Sequence, residues 1–177
     1  RLAIEERLDP KAPWLVAEAV HVIGQWLRHD DVVIEWGAGR STAWFLDLGV
    51  QVRSVEHHDG WADRVRSEAG DRPLVLEVCD PEDPAAYAAA HADLTQVDLA
   101  LVDGIHRHQC TERAMTLVRP GGLLVVDNIE RYLPSDTRSP QTIGADEPDP
   151  DWAGLAPVLA EWRGWWFSNG VSDTAIW

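Results

Sequence analysis

The sequence predicts an α/β fold: a doubly wound, mostly parallel sheet built from one domain of 177 residues, enough chain for a real core. Three observations carry this. Strand-like and helix-like segments alternate from residue 32 to residue 127, as in a parallel sheet with right-handed crossovers. The run VVIEWGAGRST at 32–42 joins an apolar strand to a glycine-rich turn and a helix start, the place where open α/β sheets bind nucleotide-like ligands. Near the end, two apolar runs flank Ser168-Asn169-Gly170, a hairpin signal that closes the sheet with an antiparallel pair.

In chain order, residues 1–30 read as an N-terminal helical segment. Leu15, Val16, Ala19, Val22, Ile23 and Trp26 recur at helical spacing within 12–27. Val32, Val33 and Ile34 are β-branched and mark a buried parallel strand at 32–35. Further strands are predicted at 52–56, 74–78, 99–102 and 122–127, and helices at 42–48, 60–69, 84–91 and 108–118. Pro120-Gly121-Gly122 stops the last of these helices and starts the next strand. Residues 130–151 are rich in Pro, Asp, Ser and Thr without a period. A structureless loop of about 20 residues at the ligand edge reads as a substrate lid, with plain disorder as the alternative. A short helix at 152–163 and strands at 165–168 and 173–177 complete the chain, without an internal repeat or a second domain.

Thirty acidic residues against fifteen basic give a formal charge of −15. That argues against a nucleic-acid partner, which wants a basic face. It suits a cytoplasmic protein and a cationic ligand, although solubility accounts for most of the excess. No apolar run approaches the roughly 20 residues of a membrane span. No signal peptide is visible, and the start at Arg1 reads as a trimmed or processed end. Cys79 and Cys110 offer neither a disulfide framework nor zinc spacing, so both are expected reduced and buried. Ten tryptophans, four of them between 152 and 166, read first as core and edge packing. The tryptophan-rich tail is also a candidate homo-oligomer interface.

The chemistry gathers at strand ends. Glu35 closes the first strand, Gly37 and Gly39 let the backbone turn tightly and approach a ligand, and Ser41 and Thr42 can cap the following helix. Glu56 ends the second strand, 19 residues beyond Gly37, where a carboxylate can grip both ribose hydroxyls; His57 and His58 stand beside it. Asp80 follows the third strand, where an acid can accept an adenine amino group or simply form the turn before Pro81. Asp103 ends the fourth strand, and Asp127 and Asn128 end the fifth. Neighbouring parallel strands bring these three together, and hard oxygen ligands without thiolate suit Mg²⁺, which could orient a substrate hydroxyl and lower its pKa. The alternative is that Asp103 holds cofactor or substrate unaided and Asp127-Asn128 caps the strand. His106 or His108 could supply a general base.

With these residues assembled, the chain resembles the class I S-adenosylmethionine-dependent methyltransferases, from about residue 13 to the C-terminus. EWGAGRST looks like the first motif, which cradles the methionine part of the cofactor, and VEHH like the second-strand acid that holds the ribose. VDLALVDG looks like the fourth-strand motif and LVRPGGLLVVDN like the segment entering the fifth strand. The resemblance implies a Rossmann-like, seven-stranded sheet whose last strand, DTAIW, inserts antiparallel. It implies S-adenosyl-L-methionine at Glu35, Gly37, Ala38, Gly39, Ser41, Glu56, His57, Asp80 and Asp103, and methyl transfer to a small molecule, first of all at oxygen. Asp103 then lies where cofactor and acceptor meet, and His106 is the first choice for base. Cation-dependent O-methyltransferases share the order Asp103, Asp127, Asn128. Short bacterial methyltransferase-like proteins are the closer match, through EWG-x-G-x-ST, Asp59-Gly60-Trp61, Asp103-Gly104 to Cys110, Asp127-Asn128 with Tyr132, and the terminal T-x-I-W. Two other readings stand beside this one. A dinucleotide-dependent oxidoreductase would want a glycine where Thr42 stands, and a non-catalytic cofactor-binding or oligomerisation module would use the tail as its interface.

Overall fold

The computed structural model describes residues 12–144 and 148–177; residues 1–11 of the expected N-terminal segment lie outside it. Six α-helices and seven strands follow in the described residues: α1 (Ala17–Trp26), β1 (Val32–Trp36), α2 (Arg40–Asp47), β2 (Gln51–Glu56), α3 (Asp59–Ala69), β3 (Leu74–Val78), α4 (Pro84–Ala89), β4 (Val97–Val102), α5 (Arg107–Leu117), β5 (Val118–Asp127), α6 (Leu155–Glu161), β6 (Trp165–Ser168) and β7 (Asp173–Ile176). The strands form one sheet in the order β3-β2-β1-β4-β5-β7-β6. β1 to β5 pair in parallel, and β7 inserts antiparallel between β5 and β6. The doubly wound architecture expected from the alternation is therefore the one observed.

Period-two alternation explains why both faces are covered. Ile34 and Trp36 of β1, Ala100 and Val102 of β4, and Leu124 and Val126 of β5 point to the face packed by α4, α5 and α6. Val33, Leu99, Leu101, Leu123 and Val125 point to the opposite face, under α1, α2 and the end of α3. The order reverses between β1 and β4, so a crevice opens at their carboxyl ends. Among the described residues no helix is long and apolar enough to cross a membrane.

Several boundaries differ from expectation for identifiable reasons. The first helix starts at Ala17, not at 12, because Val16 is extended and gives its N–H to Thr174 Oγ1 at 3.1 Å. β5 begins at Val118, before Pro120-Gly121-Gly122 rather than after it. A register shift between Val97 and Leu99 absorbs those residues, and the pairing resumes at Leu123. The helix expected at 152–163 splits into a 3₁₀ turn at Pro150–Trp152 and α6. Cys110 is buried as expected, whereas Cys79 is only half-buried, because it follows the edge strand β3. Trp36 and Trp152 are core residues, but Trp14 and Trp165 are exposed.

The described part of the 130–151 segment is fastened to the β6–β7 hairpin. Thr137 and Ser139 each donate to the Asp173 carboxylate at 2.5 Å, and Trp166 Nε1 donates to it at 2.8 Å. The Ile143 and Asp149 N–H groups bond to the carbonyls of Glu130 and Tyr132. At these two points the backbone of the segment bonds back to its own start.

Asp98 ties the entrances of three strands together. Its Oδ2 accepts the Val32 N–H at 2.7 Å and its Oδ1 accepts from Arg119 Nε at 2.6 Å. Asp98→Ala removes both charge-assisted bonds and is expected to cost about 2–3 kcal/mol. The measurement is a lowered urea midpoint at unchanged slope; an unchanged midpoint would show the tie to be dispensable.

Candidate active site

The end of β1 sets the geometry. Alternation turns Glu35 toward α2, where it is fully buried. Its register partner on β2 is Ser54, which donates to Oε1 at 2.5 Å. Ser41 donates to Oε2 at 2.6 Å, and the Thr42 hydroxyl also donates to Oε1. Thr42 Oγ1 in turn accepts the Gly39 N–H at 2.8 Å. The two hydroxyls expected to cap the helix thus lie in its first turn and hold a buried carboxyl group. Burial pushes the Glu35 pKa up to about 7, against the lowering effect of the three hydroxyls and with a smaller push from Glu56.

From this anchor the chain turns at Gly37, whose φ is +99°, in the left-handed region that disfavours side chains. A Cβ there would stand 2.8 Å from the Gly104 nitrogen, so the loop lies directly on the start of the turn after β4. The Gly37 N–H bonds to the Val55 carbonyl, and the Asp103 N–H to the Trp36 carbonyl, both at 2.9 Å. Trp61 Nε1 fixes the Ala38 carbonyl from the side at 2.6 Å.

A cleft of ≈ 480 Å³ opens above these turns. Its walls include Gly37, Ala38, Gly39, Ser41, Glu56, His57, Asp103, Asp127 and Asn128, all expected from the sequence. A shallower depression lined by Glu56, His57, His58, Gly60 and Trp61 adjoins it. Glu56 joins the two. Its Oε1 accepts the N–H groups of His57 at 2.8 Å and His58 at 3.0 Å, and lies 3.0 Å from His57 Nδ1. Among the described residues Oε2 has no partner, so one carboxylate oxygen is left for a ligand.

On the other side, β4 and β5 run in parallel with Val102 opposite Val126, which sets Asp103 beside Asp127. Asp127 is buried and accepts from Thr174 Oγ1 at 2.6 Å. Arg107, on the first turn of α5, underlies both. It donates to the Asp103 carboxylate at 3.0 Å, to the carbonyls of Gly104 and Asp103, and to the Asp127 carbonyl. Burial raises the pKa of both aspartates; the Arg107 charge draws both down, while Asp103 pushes Asp127 further up. Asn128, at φ +51°, turns the chain into the 3₁₀ segment Ile129–Arg131.

Four expected residues stand elsewhere. Glu35 does not line the cleft; it holds the loop from beneath. Asp80 is exposed and accepts the Glu82 N–H at 2.9 Å, a turn former before Pro81. His106 does not line the cleft: at φ +51° its ring reaches the Pro81 carbonyl at 2.8 Å. His108 lies against Trp152 and near Glu112. The walls also include Trp14 and Ile105, which the sequence did not single out, and Arg40, Trp61 and Gly104, which stand in its motifs without a site role of their own; Arg107, equally unforeseen, lies behind them. Among the described residues no three His, Cys, Asp or Glu side chains converge as a metal site. The expected Asp103–Asp127–Asn128 cation position instead has the Arg107 guanidinium bonded to one of its carboxylates.

No protein-family model and no curated protein matches the chain. Solved structures do match in fold. The precorrin 8W decarboxylase of Methanobacterium thermoautotrophicum aligns over 95% of this chain and 92% of its own, at 14% identity and a TM-score of 0.58. Aeropyrum pernix fibrillarin, solved with natively bound S-adenosyl-L-methionine, aligns over 84% of this chain and 66% of its own, at 13% identity and 0.57. The fold is the Rossmann-like methyltransferase fold. A methyltransferase of Thiobacillus denitrificans in complex with S-adenosyl-L-homocysteine aligns over 64% of this chain at 16% identity and 0.49, and this chain spans about half of its length (48%).

The burial of Glu35 has a measurable consequence. A folded-state pKa of about 7 against an ordinary unfolded value means that the native state binds the extra proton between these two pH values. The stabilisation is complete below about pH 4.5 and lost as pH rises through about 7. Relative to Glu35→Gln, which carries no titrating group, the wild type should lose roughly 3 kcal/mol across that window. Denaturant titrations at pH 4.5, 6 and 8 read this directly; parallel curves for the two proteins would place the charge of Glu35 in water.

Proposed function

We propose that this protein transfers a methyl group from S-adenosyl-L-methionine to a small-molecule acceptor, at oxygen. The observation that carries the reading is the cleft itself: a glycine turn, a strand-end glutamate with one unused oxygen, the partly buried Asp103 and the buried Asp127 meet around a single opening. This donor set fits the cofactor. Glu56 Oε2 suits the ribose hydroxyls, the adjoining depression beside His57, His58 and Trp61 suits the base, and the turn at Gly37–Gly39 with the first turn of α2 suits the amino-acid end. When bound, the cofactor supplies an electrophilic methyl group on a positively charged sulfur, which negative walls favour. The fibrillarin neighbour, whose structure contains that cofactor, supports the reading, as does the fold it shares.

The chain's own part is to bind, orient and manage a proton. Asp127 takes the place that His106 was expected to fill. It sits in the cleft wall with Thr174 on one oxygen and Arg107 behind it. Its raised pKa makes it a stronger base toward an acceptor hydroxyl than an ordinary aspartate. Asp103, held by Arg107, orients the opposing edge of the acceptor. Arg107 also supplies positive charge at the pair, so the reading includes no divalent cation. The formal charge of −15 favours a small molecule over a nucleic acid. Thr42 argues against the dinucleotide alternative, because its hydroxyl bonds to both Glu35 and Gly39 and a glycine there would break both contacts.

Calorimetry with S-adenosylhomocysteine tests the binding half. The wild type should bind, and Glu56→Ala should weaken binding by at least about tenfold; no binding by the wild type ends the reading. For the chemical half, turnover on a hydroxylated acceptor should rise with pH as Asp127 loses its proton. Asp127→Asn should be slower by about 10²-fold or more and flat across the same range. A pH profile unchanged by the substitution would remove Asp127 from the proton path.

A further inference from the structure

Arg40 stands apart in the cleft wall. The acidic side chains in the walls are Glu56, Asp103 and Asp127, and Arg40 is the one Lys or Arg among the described lining residues. Arg107 spends its donors on Asp103, Gly104 and Asp127. Arg40, by contrast, is a cleft-lining guanidinium with no hydrogen-bond or ion-pair partner among the described residues. It is not loose, however. Its guanidinium lies over the indole of Trp14, 5.1 Å from the ring centroid, and Trp14 lines the same cleft while 63% exposed.

Stacking uses the face of a guanidinium and leaves its N–H edge in the plane. That edge matches the two oxygens of a carboxylate in a bidentate pair. The indole lines the cleft beside that edge and gives the guanidinium a flat surface that holds its orientation. We propose that Arg40, stacked on Trp14, is a carboxylate-binding clamp at the mouth of the cleft. The inference rests on the methyl-transfer reading and deepens it. The carboxylate comes either from the amino-acid end of the cofactor or from an acidic acceptor.

Two comparisons separate these sources. S-adenosylhomocysteine and 5′-methylthioadenosine share the nucleoside and thioether, but only the first carries the amino-acid end. Their affinities for wild type, Arg40→Ala and Arg40→Lys are measured by calorimetry. 4-Hydroxybenzoate and its neutral amide are then titrated into protein saturated with S-adenosylhomocysteine. A cofactor clamp predicts that Arg40→Ala weakens S-adenosylhomocysteine by at least about tenfold and leaves 5′-methylthioadenosine unchanged, with Arg40→Lys in between because it keeps the charge and loses the fork. An acceptor clamp predicts both nucleosides unchanged and loss of the preference for 4-hydroxybenzoate over its amide. Trp14→Ala should reproduce part of either effect and Trp14→Phe less of it. If Arg40→Ala alters neither the nucleoside ratio nor the benzoate preference, or the wild type shows no such preference and an unchanged ratio, the clamp is overturned. If the wild type binds neither nucleoside, the methyl-transfer reading fails, and the clamp is then judged by the benzoate pair on unloaded protein.

Discussion

The carboxyl group of Glu35 is the constraint on which the rest of this structure turns. It is closed off from the surface and accepts from three hydroxyl donors, drawn from α2 and from β2. Two donors sit side by side in the first turn of α2 and the third on β2, and Thr42 also accepts the Gly39 N–H, so satisfying one buried acid fixes the start of a helix, the neighbouring strand and the glycine turn at once. A buried carboxyl group without partners would be costly. The same cost, when it is met by Ser41, Thr42 and Ser54, gives the turn above it a single arrangement. Glu35 thereby shapes the floor of the cleft without lining it.

The opposite wall is organised by a second polar set of another kind. Arg107 joins the tips of β4 and β5 through carbonyl and carboxylate oxygens, and Thr174 joins Asp127 to the N-terminal segment through Val16. The two aspartates are thus braced from below by a cation and from the side by a hydroxyl. Among the Asp, Glu, Lys and Arg side chains that line the cleft in the described residues, all are acidic apart from Arg40 over Trp14.

Much of this architecture was legible in the sequence, and the reasons are local. The β-branched and leucine-rich runs of β1, β4 and β5 mark buried strands because few other structures bury both faces of a short segment. Glu56 was legible through its spacing from Gly37, which is set by one turn of helix-and-strand geometry. Directions were harder than places. His106 is adjacent in sequence to the Asp103 turn, but its left-handed backbone carries the ring to Pro81. Glu35 closes a strand at the ligand edge, but alternation buries it. Arg107 follows Asp103 by four residues and reads as an ordinary helix-face pair; only the return of β5 shows that it also serves Asp127. Trp14 could not be found from spacing, because the contact with Arg40 exists only after the sheet brings the N-terminal segment over α2.

The insertion of β7 between β5 and β6 gives Asp127 a neighbour from a stretch of polypeptide that leaves the ribosome well after β1 to β5. Until residue 174 has emerged and threaded into its slot, β1 to β5 can assemble while Asp127 lacks its hydroxyl donor and Val16 its acceptor. Because synthesis runs from the N-terminus, the fold carries an inherent order of events: the cleft edge at Asp127 is completed only after the parallel strands exist. A chain made only as far as β5 therefore cannot present the completed cleft, however well its strands have paired.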